Sequence, residues 1–409
     1  LKKYDFSQYS DGIIKPGLER IKIFLKKLGN PQNRFFSILV GGTDGKGSTV
    51  SYLYHLLNAS GVKVGAYLSP HLIHIKERMK IPERVEEEDI EDVLAELERK
   101  SRKWKVDLSP FELFTAAVFM VFQNLGIDLA ILEVGMGGRW DATNVTDPIA
   151  SLVVSVGMDH TRYLGRNIEA IACEKFLIAR PGKPLIVGLL PLPALRVFRD
   201  MGTGRGVPID EYQRGFTVIP ETKGFCYVGY RVIPHLLTGM EGRHQWVNAA
   251  LAIRTLEVLR MPLVKVAPVL KETRLPGRFQ VEEFKGVTLV LDVAHNPLAL
   301  ESLIGALEKR FPKRPLWAVF QLLRDKPYEE MTELLRRKFK RLFHVPLDLG
   351  GRGLKDREVI VKGIDNIKER EEWLSLLERA RKKGAVLVVT GCFGIVKEVY
   401  KWFHGNGSF

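Results

Sequence analysis

Short apolar, β-branched runs recur along the chain, and each leads into a glycine-bearing turn and then an amphipathic stretch. FFSILVGG leads into GKGSTVSYLYHLLNASG, and IDLAILEVGMGG, IASLVVSVGMDH and GKPLIVGLL follow it. Strands alternating with helices predict a largely parallel α/β sheet. The pattern restarts near Val287 with VTLVLDVAHNP, PLWAVFQLL, RLFHVPL and AVLVVTG. TRLPGRF, at 273–279, carries Pro and Gly between the two series and predicts a boundary there, dividing the chain into 1–276 and 277–409. The stretch from about 190 to 240 reads as irregular and turn-rich. No internal repeat or low-complexity tract appears.

A length of 409 residues also fits two domains better than one core. The composition, 45% apolar and 27% charged, is that of an ordinary globular protein. No apolar run is long enough to span a bilayer. The opening LKKYDFSQYSDG lacks the apolar core of a secretory signal, so a cytoplasmic location is expected. Cys173, Cys226 and Cys392 are few, distant and unpaired in spacing, which argues against a disulfide framework or a structural zinc site. The net charge of +14 admits nucleic acid, anionic membranes or anionic small substrates. Much of it lies in mixed-sign helical stretches such as ELLRRKFKR, which read as solvated faces, and no aromatic-interleaved basic cluster offers a platform for stacked bases.

The strongest chemical signal is VGGTDGKGSTV. A strand feeds a glycine turn containing Gly45, Lys46 and Gly47, then Ser48 and a helical pattern. Backbone N–H groups, a lysine point charge and a helix N-terminus together suit a nucleotide phosphate, although Gly47 separates this loop from the common Walker spacing. Glu133 ends a second strand, and Asp159 and His160 follow a third. Strand C-termini are where open parallel sheets bind ligands, and a carboxylate and an imidazole there suit a hard cation beside phosphates. DVAHNP places Asp292 and His295 around a turn, and its Asn296–Pro297 step also suits a plain helix cap.

Taken in order, GTDGKGST, YLSPHL, LEVGMGGRWDATN, GMDHTRYLG, EKFLI, LPGRFQ and DVAHNP resemble the dihydrofolate synthase/folylpolyglutamate synthase family, within the Mur ligase superfamily. The resemblance implies a Rossmann-like P-loop ATPase domain followed by a smaller α/β Rossmann-like glutamate-ligase domain. It implies an ATP-dependent ligase that adds L-glutamate to dihydropteroate or to a folate polyglutamate through an acyl phosphate. Gly45, Lys46, Gly47, Ser48, Asn248, Arg278 and Asp292 then correspond to ATP contacts. Ser69, Glu133 and His160 correspond to magnesium ligands. Lys175 corresponds to a lysine that carries a carbamate and serves a second magnesium. Ile14, Lys15, Pro16, Ser109, Phe111, Arg139, Asp141 and Ala142 correspond to the pteroate side, with Phe111 suited equally to a pterin or to the core. His295 and Cys392 correspond to the glutamate side.

Three departures stand out: Asp44 in the loop where Asn is usual, EKFLI for EKAGI, and Cys392 where Ser is frequent. The implied partners are small molecules only, with no nucleic acid, no membrane and a monomeric chain. Rival readings are a Mur-type ligase acting on a peptidoglycan precursor, a basic P-loop nucleic-acid binder, and an inactive relative. The retained set Lys46, Ser69, Glu133 and His160 argues against the last.

Overall fold

The computed structural model describes residues 16–82, 87–347, 349–355, 364–368 and 370–403. These divide into two compact units, one of residues up to 239 with 244–273, the other of 240–243 with 274 onward.

The first unit is built on a seven-stranded sheet. Its strands are β1 (Phe36–Gly41), β2 (Val64–Tyr67), β3 (Met79–Lys80), β4 (Leu129–Glu133), β5 (Ala150–Val153), β6 (Leu185–Val187) and β7 (Ile209–Glu211), in the order β3-β2-β4-β1-β5-β6-β7. Every pairing is parallel except β2 with the two-residue edge strand β3. Strands β2, β4, β5 and β6 are buried along their whole length, which is why they read as continuous apolar runs rather than alternating ones. Helices α1 (Glu19–Lys27), α2 (Lys46–Ala59), α3 (Glu87–Trp104), α4 (Pro110–Asn124), α5 (Thr161–Leu164), α6 (Ile168–Phe176), α7 (Leu192–Arg205), α8 (Arg243–Val258) and α9 (Val266–Glu272) complete it. One core joins Phe24 of α1, Phe114 and Phe119 of α4, Leu132 of β4 and Phe176 of α6.

Because β4 and β5 flank β1, their C-terminal ends lie together. Val40 pairs with Glu133 and Gly41 with Val153. The phosphate-loop sequence, Glu133 and the Asp159–His160 turn therefore leave the sheet side by side, where an open α/β sheet binds its ligands.

The stretch from 190 to 240 is more regular than its sequence suggests. Helix α7 fills 192–205, and β8 (Thr217–Pro220), β9 (Phe225–Val228) and β10 (Val232–Leu236) form an antiparallel meander. Gly202 and Gly204 lower the intrinsic helical preference of α7. Tertiary packing accounts for Gly202, since a Cβ there would stand 2.5 Å from Ile209 Cδ1.

The second unit carries a six-stranded sheet of β11 (Gln280–Phe284), β12 (Val287–Leu291), β13 (Leu316–Phe320), β14 (Arg341–His344), β15 (Ile364–Asn366) and β16 (Val386–Thr390), ordered β11-β12-β16-β13-β14-β15. Only β11 is antiparallel to its neighbour. Helices α10 (Pro297–Arg310), α11 (Tyr328–Lys338), α12 (Arg370–Lys383) and α13 (Phe393–Phe403) accompany the sheet. The architecture is α/β in both units, with mostly parallel sheets. Among the described residues no helix is long and apolar enough to cross a membrane.

Candidate active site

Gly45 caps α2 with a φ of +82°, a left-handed conformation that favours glycine. It leaves no room for a side chain either, since a Cβ there would stand 2.7 Å from Asn248 Oδ1. Lys46, Gly47 and Ser48 begin α2, so the first N–H groups of that helix lie at the strand end. Hydrogen bonds fix the loop to the residues after β5. The Asp44 N–H donates to Ser155 Oγ at 2.8 Å, and Ser155 Oγ donates back to the Asp44 carbonyl at 2.9 Å. Thr43 Oγ1 accepts from the Gly157 N–H at 3.0 Å.

Lys46 Nζ donates to the carbonyls of Gly42 (3.1 Å) and Thr43 (3.0 Å), folding its charge over the loop. Lys175, projected from α6, is 3% exposed and donates to the same Gly42 carbonyl at 2.9 Å. Burial, and then the nearby Lys46 cation, push its ammonium down to about 7, while Asp159, Asp44 and Asp141 oppose the shift. A lysine that titrates close to neutral pH is unusual.

Glu133 is 4% exposed at the end of β4, and its Oε2 accepts the Ser69 N–H at 3.0 Å. Asp159 is buried, and its Oδ1 accepts the His160 N–H at 2.7 Å. His160 adopts a φ of +48° at the start of α5, and its Nε2 lies 3.8 Å from Asp159 Oδ2. Among the described residues no three His, Cys, Asp or Glu side chains form a group that could hold a metal alone. The donors at hand are hard: carboxylate and hydroxyl oxygens with one imidazole. That set fits a hard cation that takes the rest of its shell from phosphate and water. Lys175 as an ammonium has no lone pair to give and fits only after modification.

Of the residues assigned to the pteroate side, Phe111 and the Asp141 loop come together, and Ile14 and Lys15 lie outside the described residues. Ser109 caps α4 by accepting the Glu112 N–H, with Pro110 at the first helical position. Phe111 is half-buried and stacks on Tyr67, with ring centroids 6.0 Å apart and an interplanar angle of 25°. A Cβ on Gly135 would stand 2.7 Å from Phe111 Cζ and 3.2 Å from Asp141 Oδ2, so ring and carboxylate border one point of backbone. Asp141 organises its own loop, accepting from the N–H groups of Met136 and Thr143, each at 3.0 Å. Ala142 follows it in a buried 3₁₀ turn. Arg139 is more exposed; its guanidinium lies over Trp140 at 4.6 Å, with Glu174 3.9 Å away. Pro16 stands just before α1.

In the second unit Asp292 accepts the N–H groups of Phe279 (2.8 Å) and Ala294 (2.9 Å), tying together the turns that carry Arg278 and His295. Burial raises its carboxyl and Arg278 opposes the rise. Arg278 lies 5.4 Å from the Phe393 ring centroid, and the His295 and Phe393 rings are 6.3 Å apart. Asn296 caps α10 through Ala299 N–H, so the cap suggested by Asn-Pro is present. Cys392 is 2% exposed, and burial pushes its thiol up to about 11, so it presents a turn rather than a reactive sulfur.

Sequence reasoning missed Gln245. It is buried on α8, where its Nε2 donates to Ser48 Oγ at 3.3 Å and its Oε1 accepts from Asn248 Nδ2 at 3.2 Å. The i, i+3 spacing of Gln245 and Asn248 in HQWVN was the available signal.

The nucleotide-loop unit and the second α/β unit together define an ATP-dependent ligase of the Mur type; the model described as "Mur ligase, glutamate ligase domain" matches residues 277–393. The dihydrofolate synthase/folylpolyglutamate synthase of Escherichia coli (strain K12) is 31% identical over 392 residues, covering 94% of this chain and 90% of the relative. The chain belongs to the dihydrofolate synthase/folylpolyglutamate synthase family. The structure of E. coli FolC in complex with DHPP and ADP superposes with a TM-score of 0.89 at 28% identity, covering 98% of both chains. The bifunctional folylpolyglutamate synthase/dihydrofolate synthase of Yersinia pestis CO92, complexed with AMPPNP and Mn ion, gives 0.85 at 30% identity, covering 96% of this chain and 95% of that one.

Proposed function

We propose that this ligase joins L-glutamate to dihydropteroate, and also to the glutamate tail of a folate, at the expense of ATP. The observation that carries the reading is that the Phe111 ring, stacked on Tyr67, and the buried Asp141 carboxylate border one point of backbone at Gly135, in the same unit as the phosphate loop. A flat apolar ring bordered by a buried carboxylate suits a pterin.

The substrate carboxylate attacks the γ-phosphorus, ADP leaves, and an acyl phosphate forms. The glutamate nitrogen then attacks the acyl carbon, phosphate leaves, and the nitrogen loses its protons to give the amide. Phosphoryl transfer of this kind depends on positioning and charge. Lys46, with the N–H groups of Gly45, Gly47 and Ser48, neutralises and aligns the phosphates. Gln245 orients the Ser48 hydroxyl and the Asn248 amide. Ser69, Glu133 and His160 would hold magnesium, which when bound supplies charge neutralisation at the phosphate oxygens.

Lys175 would carry a carbamate. Its neutral nitrogen attacks carbon dioxide, an N–C bond forms, and a proton is released. Its depressed basicity supports that state, and the resulting anion would answer a second cation. Arg278 and Asp292 would serve the nucleotide, and His295 and the Cys392 turn the glutamate. In this reading 1–276 is the ATP-binding part and 277–409 the glutamate-ligase part.

The test is ADP release by purified protein with glutamate and either dihydropteroate or tetrahydrofolate. Turnover of both is expected. Turnover of a nucleotide-sugar peptide instead would replace the reading with the peptidoglycan one.

A further inference from the structure

Glu112 sits in the first turn of α4 and is only 5% exposed. Its Oε2 accepts the Ser109 N–H at 2.8 Å, the return half of a capping box. A neutral glutamine oxygen would serve that bond as well, so the cap does not explain the charge. The charge is answered from 92 residues away. On α1, Arg20 Nη2 lies 3.3 Å from Glu112 Oε1, and Arg20 Nε donates to Oε2 at 3.4 Å. Arg20 Nη1 also donates to the Pro16 carbonyl at 3.5 Å. One guanidinium thus touches the segment before α1 and the turn that carries Ser109 and Phe111. Helix α1 also packs against the 3₁₀ turn that begins at Ala142. A carboxylate withdrawn from water is stable only with its cation in place, so the seating of α1 and the start of α4 are coupled.

We infer that Arg20 and Glu112 are positioning residues that hold the two walls of the pteroate pocket in register, and so set affinity for the pterin-bearing substrate without setting affinity for ATP. The inference rests on the pteroate reading of Pro16, Ser109 and Phe111. Neither side chain reaches the phosphate loop among the contacts described above; both act through the backbone of neighbours. The pair joins α1, which leads into β1, to α4, which leads into its neighbour β4, so it sets how two adjacent segments are seated rather than the chemistry of any reacting atom.

The experiment measures KM for dihydropteroate, KM for ATP, kcat and Tm in wild type, Arg20→Met, Arg20→Lys, Glu112→Gln and the Arg20→Met/Glu112→Gln double variant, with Phe111→Ala as the pocket control. Arg20→Met should raise KM for dihydropteroate about tenfold and leave that for ATP within about twofold, since only one subsite loosens. Arg20→Lys should restore part of the loss, and the double variant should fall short of the summed single effects. Should Arg20→Met fail to fold, Arg20→Lys and Glu112→Gln carry the same comparison, because each keeps a polar partner for the other. Equal rises in both KM values, or a lower Tm with both unchanged, would reduce the pair to a structural link and overturn the inference. If Phe111→Ala raises KM for dihydropteroate and the Arg20 variants do not, the pocket stands and the pair is refuted. If neither moves it, the pteroate reading falls and the inference with it.

Discussion

Lys46 and Lys175 donate to one carbonyl oxygen, that of Gly42, at 3.1 and 2.9 Å. Two amines on one neutral acceptor cannot both hold a proton cheaply. Lys46 is the less buried, and Lys175 is the one driven down, to about 7. Lys175 is therefore the nitrogen of the two that is driven to release its proton near neutral pH.

Stability should record this shift. An unfolded lysine titrates at about 10.4, so between pH 7 and that value the unfolded chain binds a proton that the folded chain does not. Unfolding free energy should rise with pH across this window, and below pH 7 the penalty of a buried ammonium is fully present. Lys175→Met removes the penalty. Its Tm should exceed that of wild type most at pH 6 to 7, with the gap shrinking toward pH 10. A gap independent of pH would mean that the amine is not depressed. The same variant should be inactive, and short carboxylates should rescue part of the activity of Lys175→Ala if a carbamate is the working form. An unmodified ammonium at Lys175 in crystals of active, metal-loaded enzyme grown with bicarbonate would eliminate the carbamate.

Lys46→Ala should cut kcat by about 10²–10³, the scale of losing one preorganised charge at a transition state. Thermal unfolding should change little, because the Gly42 carbonyl keeps Lys175 as a donor. Near-wild-type turnover would remove the phosphate-loop assignment.

Glu133→Gln keeps the acceptor for the Ser69 N–H and deletes the charge. The magnesium concentration for half-maximal activity should rise about tenfold or more, as a hard cation loses its anionic oxygen. Binding of manganese to the protein–nucleotide complex, followed by its relaxation signal, should weaken in parallel. Unchanged titrations would free Glu133 from that role.

Much of this site was legible because it sits at strand ends. FFSILVGG, IDLAILEV and IASLVVSV are buried parallel strands, so their apolar runs locate β1, β4 and β5, and whatever follows each run lands on one edge of the sheet. Helix α7 was hidden by Gly202, whose place is set by contact with Ile209 rather than by local preference. Gln245 reaches Ser48 across 197 positions, and Arg20 reaches Glu112 across 92; no local pattern encodes such pairings. The buried state of Cys392 and the double duty of the Gly42 carbonyl are likewise products of packing.

Phe111→Ala tests the substrate itself. The ring is fixed on one face by Tyr67 and along its edge by Gly135, where even a methyl group would stand within 2.7 Å of it. Its packing makes it part of the core rim, so truncation should lower Tm by a few degrees, on the scale of about 1–2 kcal/mol for a partly buried aromatic. Loss of a pterin platform is a separate effect. It should raise KM for dihydropteroate by about tenfold or more while KM for ATP stays near its original value, because only one substrate loses a stacking partner. Phe111→Leu refills much of the volume without the flat face, and should recover Tm but not KM. Recovery of both by leucine would mean that Phe111 is core alone. If wild type turns over tetrahydrofolate with glutamate but never dihydropteroate, the synthase half of the reading is wrong and tail extension is what remains.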